Sequence, residues 1–179
     1  MNTASSPIVL VGAPGSGTST VGELLAAALG RGFLDVDAVI EQRAGKPIPE
    51  IFVDDGEQAF RALEEATTIE LLDHRDLVLS LGSGAVLSAA IRQALAGRQV
   101  VWLQVSAGTA VDRIGLGAAR PPQLGNVRGR LIQLLNRRTP LYAEVASLRV
   151  ATDDLTADEV VTEIVAGLAS TRPTQERPA

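Results

Sequence analysis

The chain has 179 residues, a net charge of −5 and no cysteine, and 46% of it is apolar with few aromatics. That length suits one domain with a core of Ala, Val, Leu and Ile, and the acidic balance argues against general nucleic-acid binding. No apolar run approaches the ~20 residues of a membrane span, no secretory signal opens the chain, and the lack of cysteine excludes disulfides and thiolate metal sites, so a cytoplasmic domain is expected.

In chain order, IVLV (8–11) reads as a strand that runs into GAPGSGTST (12–20). This is the layout of a phosphate-binding loop, whose usual pattern is Gly, four residues, Gly, Lys, then Ser or Thr. Gly12, Gly17 and Ser19 stand in place, but Thr18 occupies the lysine position. Glycines let backbone N–H groups converge on a phosphate, and the next helix adds partial positive charge at its start. Ser19 has the hydroxyl that such loops offer to Mg²⁺. Thr18 has neither the reach nor the charge of lysine, and a ligand-free glycine turn is the competing reading. Val21, Leu24, Leu25, Ala28 and Leu29 then share a helical face.

FLDV (33–36) is a second strand. Asp35 and Asp37 follow at its end, where alternation points them to the same side. One carboxylate near Mg²⁺ and one accepting a proton from an alcohol would divide the labour. Alternatively, Asp37 only caps the following helix. Residues 45–59, GKPIPEIFVDDGEQA, read as a small irregular insertion with two prolines. Arg61 and Glu64 share a helical face, by itself the pattern of a solvated ion pair. LVLSL (77–81) is a third strand, and SLGSGAV (80–86) a glycine-rich strand end suited to close approach of a ligand. QVVWLQV (99–105) is the fourth strand, with Trp102 in the core. His74, the sole histidine, is expected to be solvated.

Residues 114–129, IGLGAARPPQLGNVRG, have the composition of a mobile flap, or of a long surface loop. Val160, Val161, Ile164, Val165 and Leu168 form a last helical face behind a Thr156/Glu159 capping box. Residues 1–6 and 171–179 read as disordered tails. Strands alternating with helices imply right-handed βαβ units and an α/β fold, a doubly wound parallel sheet flanked by helices. Ligands then bind beyond the carboxyl ends of the strands.

Taken together, GAPGSGxST, FLDVD with IEQRAG, IFVDDGEQAFRALE, VLSLGSGAV, ARP and RRTPLYAEVA resemble shikimate kinase over nearly the whole chain. The resemblance implies one P-loop, nucleoside-monophosphate-kinase-like domain with a core at 7–170, a substrate-binding segment at about 33–61 and a lid at about 113–128. It implies transfer of the ATP γ-phosphate to the 3-hydroxyl of shikimate in the chorismate pathway of aromatic amino acid biosynthesis, with Mg²⁺. Asp37 would contact the shikimate hydroxyls and act as base, and Arg61 and Arg138 would hold its carboxylate beside Gly82 and Gly84. Gly12, Gly15, Gly17, Thr18, Ser19 and Thr20 would hold the nucleotide, with Arg113 flanking adenine and Arg120 closing on the phosphates as a catalytic lid residue. Ser19 and Asp35 would face the metal. Shikimate and ATP are the partners expected of a monomer that binds neither nucleic acid nor membrane.

Four departures from the family pattern stand out. The family has lysine for Thr18, three glycines where this chain has Gly82, Ser83 and Gly84, Arg-Pro-Leu-Leu where Arg120 precedes Pro121, Pro122 and Gln123, and Val-Asp-Thr where Val150, Ala151 and Thr152 stand. Three of the four fall on the nucleotide side. An impaired shikimate kinase and a silent pseudokinase that binds shikimate or a protein partner are both open on this reading. A kinase for a different alcohol is disfavoured by Asp37, Arg61 and Arg138 together.

Overall fold

The computed structural model describes residues 5–114 and 127–170. Most of the expected lid, Arg120 included, and the tail at 171–179 lie outside the described residues.

Five parallel strands form one sheet in the order β2-β3-β1-β4-β5, with β1 at Ile8–Gly12, β2 at Gly32–Asp35, β3 at Leu77–Ser80, β4 at Gln99–Gln104 and β5 at Leu148–Ala151. Central β1 is in register with both neighbours, Ile8 facing Val78 on one side and Gln99 on the other. Its run is continuously apolar because both faces are covered. Ile8 and Leu10 join Val101 and Leu103 under Val21 and Leu25 of α1 (Thr18–Leu29) and Ile164 of α8 (Ala157–Ser170). Val9 and Val11 join Val100 and Trp102 in the opposite core, which Ile40, Ile51, Phe60, Ile91 and Tyr142 complete. That second core is roofed by α2 (Val36–Ala44), α3 (Ile48–Asp54), α4 (Gly56–Leu71), α5 (Ala89–Leu95) and α7 (Val127–Val145). Helix α6 (Ala107–Arg113) follows β4.

The four strands read from sequence are present, each within a residue or two of its expected bounds. β5 was not foreseen: it is four residues long and only Val150 is buried in it. The stretch at 45–59 is not irregular. Pro47 is the N-cap of α3 and Pro49 lies in its first turn, where a missing N–H breaks no helical bond. The capping box closes as expected, the Thr156 hydroxyl accepting from the Glu159 amide at 3.3 Å while Glu159 accepts from the Thr156 amide at 2.8 Å. Trp102 is buried and His74 exposed, both as read from sequence. Ser5, assigned to the amino-terminal tail, instead donates its amide to Asp76 at 2.9 Å. Among the described residues no helix is long and apolar enough to cross a membrane.

Candidate active site

At the carboxyl ends of β1, β2 and β3, strand geometry brings three loops together. β1 ends at Gly12 and turns through Pro14 and Gly15 to Gly17, the N-cap of α1, whose backbone is left-handed with φ 89°. A side chain would be strained there. Among the described residues no side chain caps α1, so its first N–H groups have no helical partner and the helix start is suited to an anion. Thr18 is its first residue, followed by Ser19 and Thr20.

Asp35, the last residue of β2, is tied to this loop. Its Oδ2 accepts from the Ser19 hydroxyl at 2.6 Å, and its Oδ1 accepts the amides of Asp37 and Ala38 at 3.0 and 3.4 Å. The cap of α2 is therefore Asp35 and not Asp37, which leaves the Asp37 carboxyl to the cleft. Ser19 and Asp35 together supply hard oxygen donors of the kind Mg²⁺ takes. A cleft of about 380 Å³ runs from Gly12–Thr20 past Asp35 and Asp37 to Ser80–Ser83.

The Asp37 Oδ1 and Glu64 Oε1 atoms are buried without a hydrogen-bond partner among the described residues. Burial pushes the Asp37 carboxyl up to about 6, helped by the charges of Asp35, Glu64 and Glu41 and opposed by Arg61. Burial also raises Glu64, against the pull of Arg61 and Arg138. The solvated ion pair expected of Arg61 and Glu64 is instead half-buried, with the carboxylate inside and the guanidinium partly exposed. Glu64 is 2% exposed and accepts from Arg61 Nη1 at 2.6 Å. Spacing alone gave no sign of this, because the wall that covers Glu64 comes from the loop after β3.

That wall explains its glycines. A Cβ on Gly82 would lie 2.6 Å from Asp37 Oδ1 and 2.9 Å from Glu64 Oε1, and one on Gly84 would lie 2.7 Å from Arg61 Cζ. From α7, Arg138 Nη1 donates to the Ser83 carbonyl at 2.9 Å and to its hydroxyl at 3.0 Å. The Tyr142 hydroxyl lies 3.0 Å from the Gly12 carbonyl and 2.7 Å from that of Ser83. Tyr142 thus ties the phosphate loop to the glycine wall, a role that the sequence reading missed.

Arg113, at the end of α6, spans the other side of the phosphate loop. Its Nη1 donates to the Gly15 carbonyl at 3.3 Å and to the Thr152 hydroxyl at 2.9 Å, and its Nη2 to the Thr152 carbonyl. A cavity of about 220 Å³ opens there between Ser16, Arg113, Thr152 and Leu155. Lys46, the only lysine, is held by Asp54 at 3.0 Å and Asp55 at 2.6 Å and does not line the cleft. The structure thus brings together, among the described residues, the phosphate loop, Ser19, Asp35, Asp37, Gly82, Gly84, Arg61, Arg138 and Arg113. Arg120 lies outside them.

The family model of shikimate kinase matches residues 14–169. This chain belongs to the shikimate kinase family. It is 49% identical over 158 residues to the shikimate kinase of Thermobifida fusca, covering 88% of this chain and 91% of that one. It is 50% identical over 164 residues to the shikimate kinase of Mycobacterium avium, covering 91% and 93%. A solved structure of shikimate kinase from Acinetobacter baumannii in complex with shikimate superposes with a TM-score of 0.86 at 38% identity, covering 94% of this chain and 95% of that one. Shikimate kinases are ATP-dependent small-molecule kinases, and the parallel sheet with its phosphate loop is the P-loop, nucleoside-monophosphate-kinase-like fold of the family.

Proposed function

We propose that this protein transfers the γ-phosphate of ATP to the 3-hydroxyl of shikimate, at a rate lowered by Thr18. The observation that carries the reading is the single cleft joining the phosphate loop to Asp37 and the glycine wall. Donor phosphate and acceptor alcohol can meet in it, and phosphoryl transfer is mostly positioning and charge stabilisation. Arg61 and Arg138 flank the wall and suit the shikimate carboxylate, since a guanidinium fork grips carboxylates bidentately. Asp37, with its proton affinity raised to about 6, suits a base that takes the hydroxyl proton near neutrality. On this reading Gly12, Gly15, Gly17, Thr18, Ser19 and Thr20 would hold the phosphates and Arg113 would border the adenine side, with Arg120 assigned to the phosphates by the family resemblance alone. Ser19 and Asp35 would hold the Mg²⁺ that arrives with ATP and neutralises phosphate charge.

Thr18 weakens the donor half. Removing one preorganised charge-stabilising donor lowers rate by ~10²–10³, and a cation acting on the transferring phosphoryl can be worth about 10³–10⁵. A catalytically silent protein that binds shikimate is the second reading, favoured by the fall of Thr18 and Ala151 on the nucleotide side.

An ADP-release assay with saturating shikimate and Mg·ATP, on the native protein beside Thr18→Lys, tests this. Slow native turnover, raised steeply by Thr18→Lys, is the expected result. Turnover by neither protein would leave binding as the function.

A further inference from the structure

Ser83 is the one member of the Gly82–Gly84 wall with a side chain. A Cβ on either neighbour would strike Asp37, Glu64 or Arg61, whereas the Ser83 hydroxyl meets Arg138 Nη1 at 3.0 Å. The Ser83 carbonyl takes the same nitrogen at 2.9 Å and is itself fixed by the Tyr142 hydroxyl at 2.7 Å. Tyr142 is 1% exposed and stacks on Trp102 with ring centroids 5.8 Å apart. The anchor under Arg138 is therefore part of the core.

Nη1 donates to both Ser83 acceptors, and the Tyr142 hydroxyl also meets the Arg138 side chain, so that end of the guanidinium is anchored. The Ser83 contacts leave to other partners the edge formed by Nε and Nη2, which can grip a carboxylate with two parallel hydrogen bonds. We infer that Ser83 is a positioning residue, whose hydroxyl holds the Arg138 fork in its carboxylate-binding orientation before the substrate arrives. The inference rests on the proposal that Arg138 holds the shikimate carboxylate. A glycine at position 83 would keep the carbonyl contact and lose the second acceptor, so this chain carries a device that a three-glycine wall lacks.

Calorimetric titration of shikimate into the native protein, Ser83→Ala and Ser83→Thr needs no turnover and so is independent of Thr18. Ordering one long side chain in advance is worth roughly 3- to 10-fold in affinity. Ser83→Ala is expected to raise the shikimate Kd by about that factor, with the Mg·ATP Kd and melting temperature unchanged. Ser83→Thr, which keeps the hydroxyl, is expected to restore native affinity. Equal or tighter shikimate binding by Ser83→Ala overturns the inference alone, as does an equal loss in both variants. If the native protein binds no shikimate, the proposed substrate falls and the inference with it.

Discussion

Asp37 stands against Gly82 with one oxygen buried and without a hydrogen-bond partner among the described residues, surrounded by Asp35, Glu41 and Glu64, with Arg61 as the opposing charge. Its folded-state proton affinity, about 6 against an ordinary 3.8, means that the folded protein holds this proton more tightly than the unfolded chain does. Between those two values stability falls as pH rises, and above them the buried ionised form costs about 1–2 kcal/mol after allowance for solvent access. If Asp37 is the base, kcat/KM for shikimate rises with pH through about 6 and levels off above it. Asp37→Asn should lower turnover by ~10²–10⁴ and yet raise the melting temperature at neutral pH by about 3–6 °C. A variant that loses both activity and stability would show that the carboxylate is held by partners and not strained by burial.

At the scale of elements, the site depends on loops that are fixed from behind. Tyr142 projects from α7 to the carbonyls of Gly12 and Ser83, so one hydroxyl braces the loops on both sides of the cleft. Tyr142→Phe removes that brace and leaves the buried Gly12 carbonyl without it. A loss of ~1–2 kcal/mol is expected, read as a melting point lower by about 2–6 °C. In Gly84→Ala, the new Cβ would displace the Arg61 guanidinium, so weaker shikimate binding is expected with the Mg·ATP affinity unchanged. Equal weakening of both ligands would mean that the whole loop had moved. What the sequence conveyed about these elements follows from periodicity. Continuous apolar runs marked β1 and β4, and glycine spacing marked the phosphate loop, because those signals are local. β5 was not legible, since a four-residue edge strand with one buried side chain has almost no pattern. Pro47 and Pro49 looked like breakers because their meaning depends on lying at a helix start. Glu64 and Tyr142 look ordinary in sequence, and only tertiary contact with the loop after β3 shows their setting.

Over the whole molecule, the net charge of −5 opposes both proposed substrates, which are anions. Attraction must therefore come from local cations; on the proposed function Arg61 and Arg138 would serve the acceptor half, while Thr18 supplies none to the donor half. Ligand that binds only the folded state adds about 2.7 kcal/mol at one hundred times its Kd, which for a chain of this size shifts the melting temperature by roughly 5–10 °C. Saturating shikimate should therefore stabilise the native protein by about that amount, while Mg·ATP gives a small shift that appears only at high concentration. Thr18→Lys should enlarge the Mg·ATP shift and leave the shikimate shift as it was, because the lysine position lines the phosphate loop and not the glycine wall. A native Mg·ATP shift as large as that of Thr18→Lys would mean that an arginine has taken over the lysine's charge. No Mg·ATP shift at any concentration, beside a full shikimate shift, would favour the silent protein, with the acceptor half retained for binding alone.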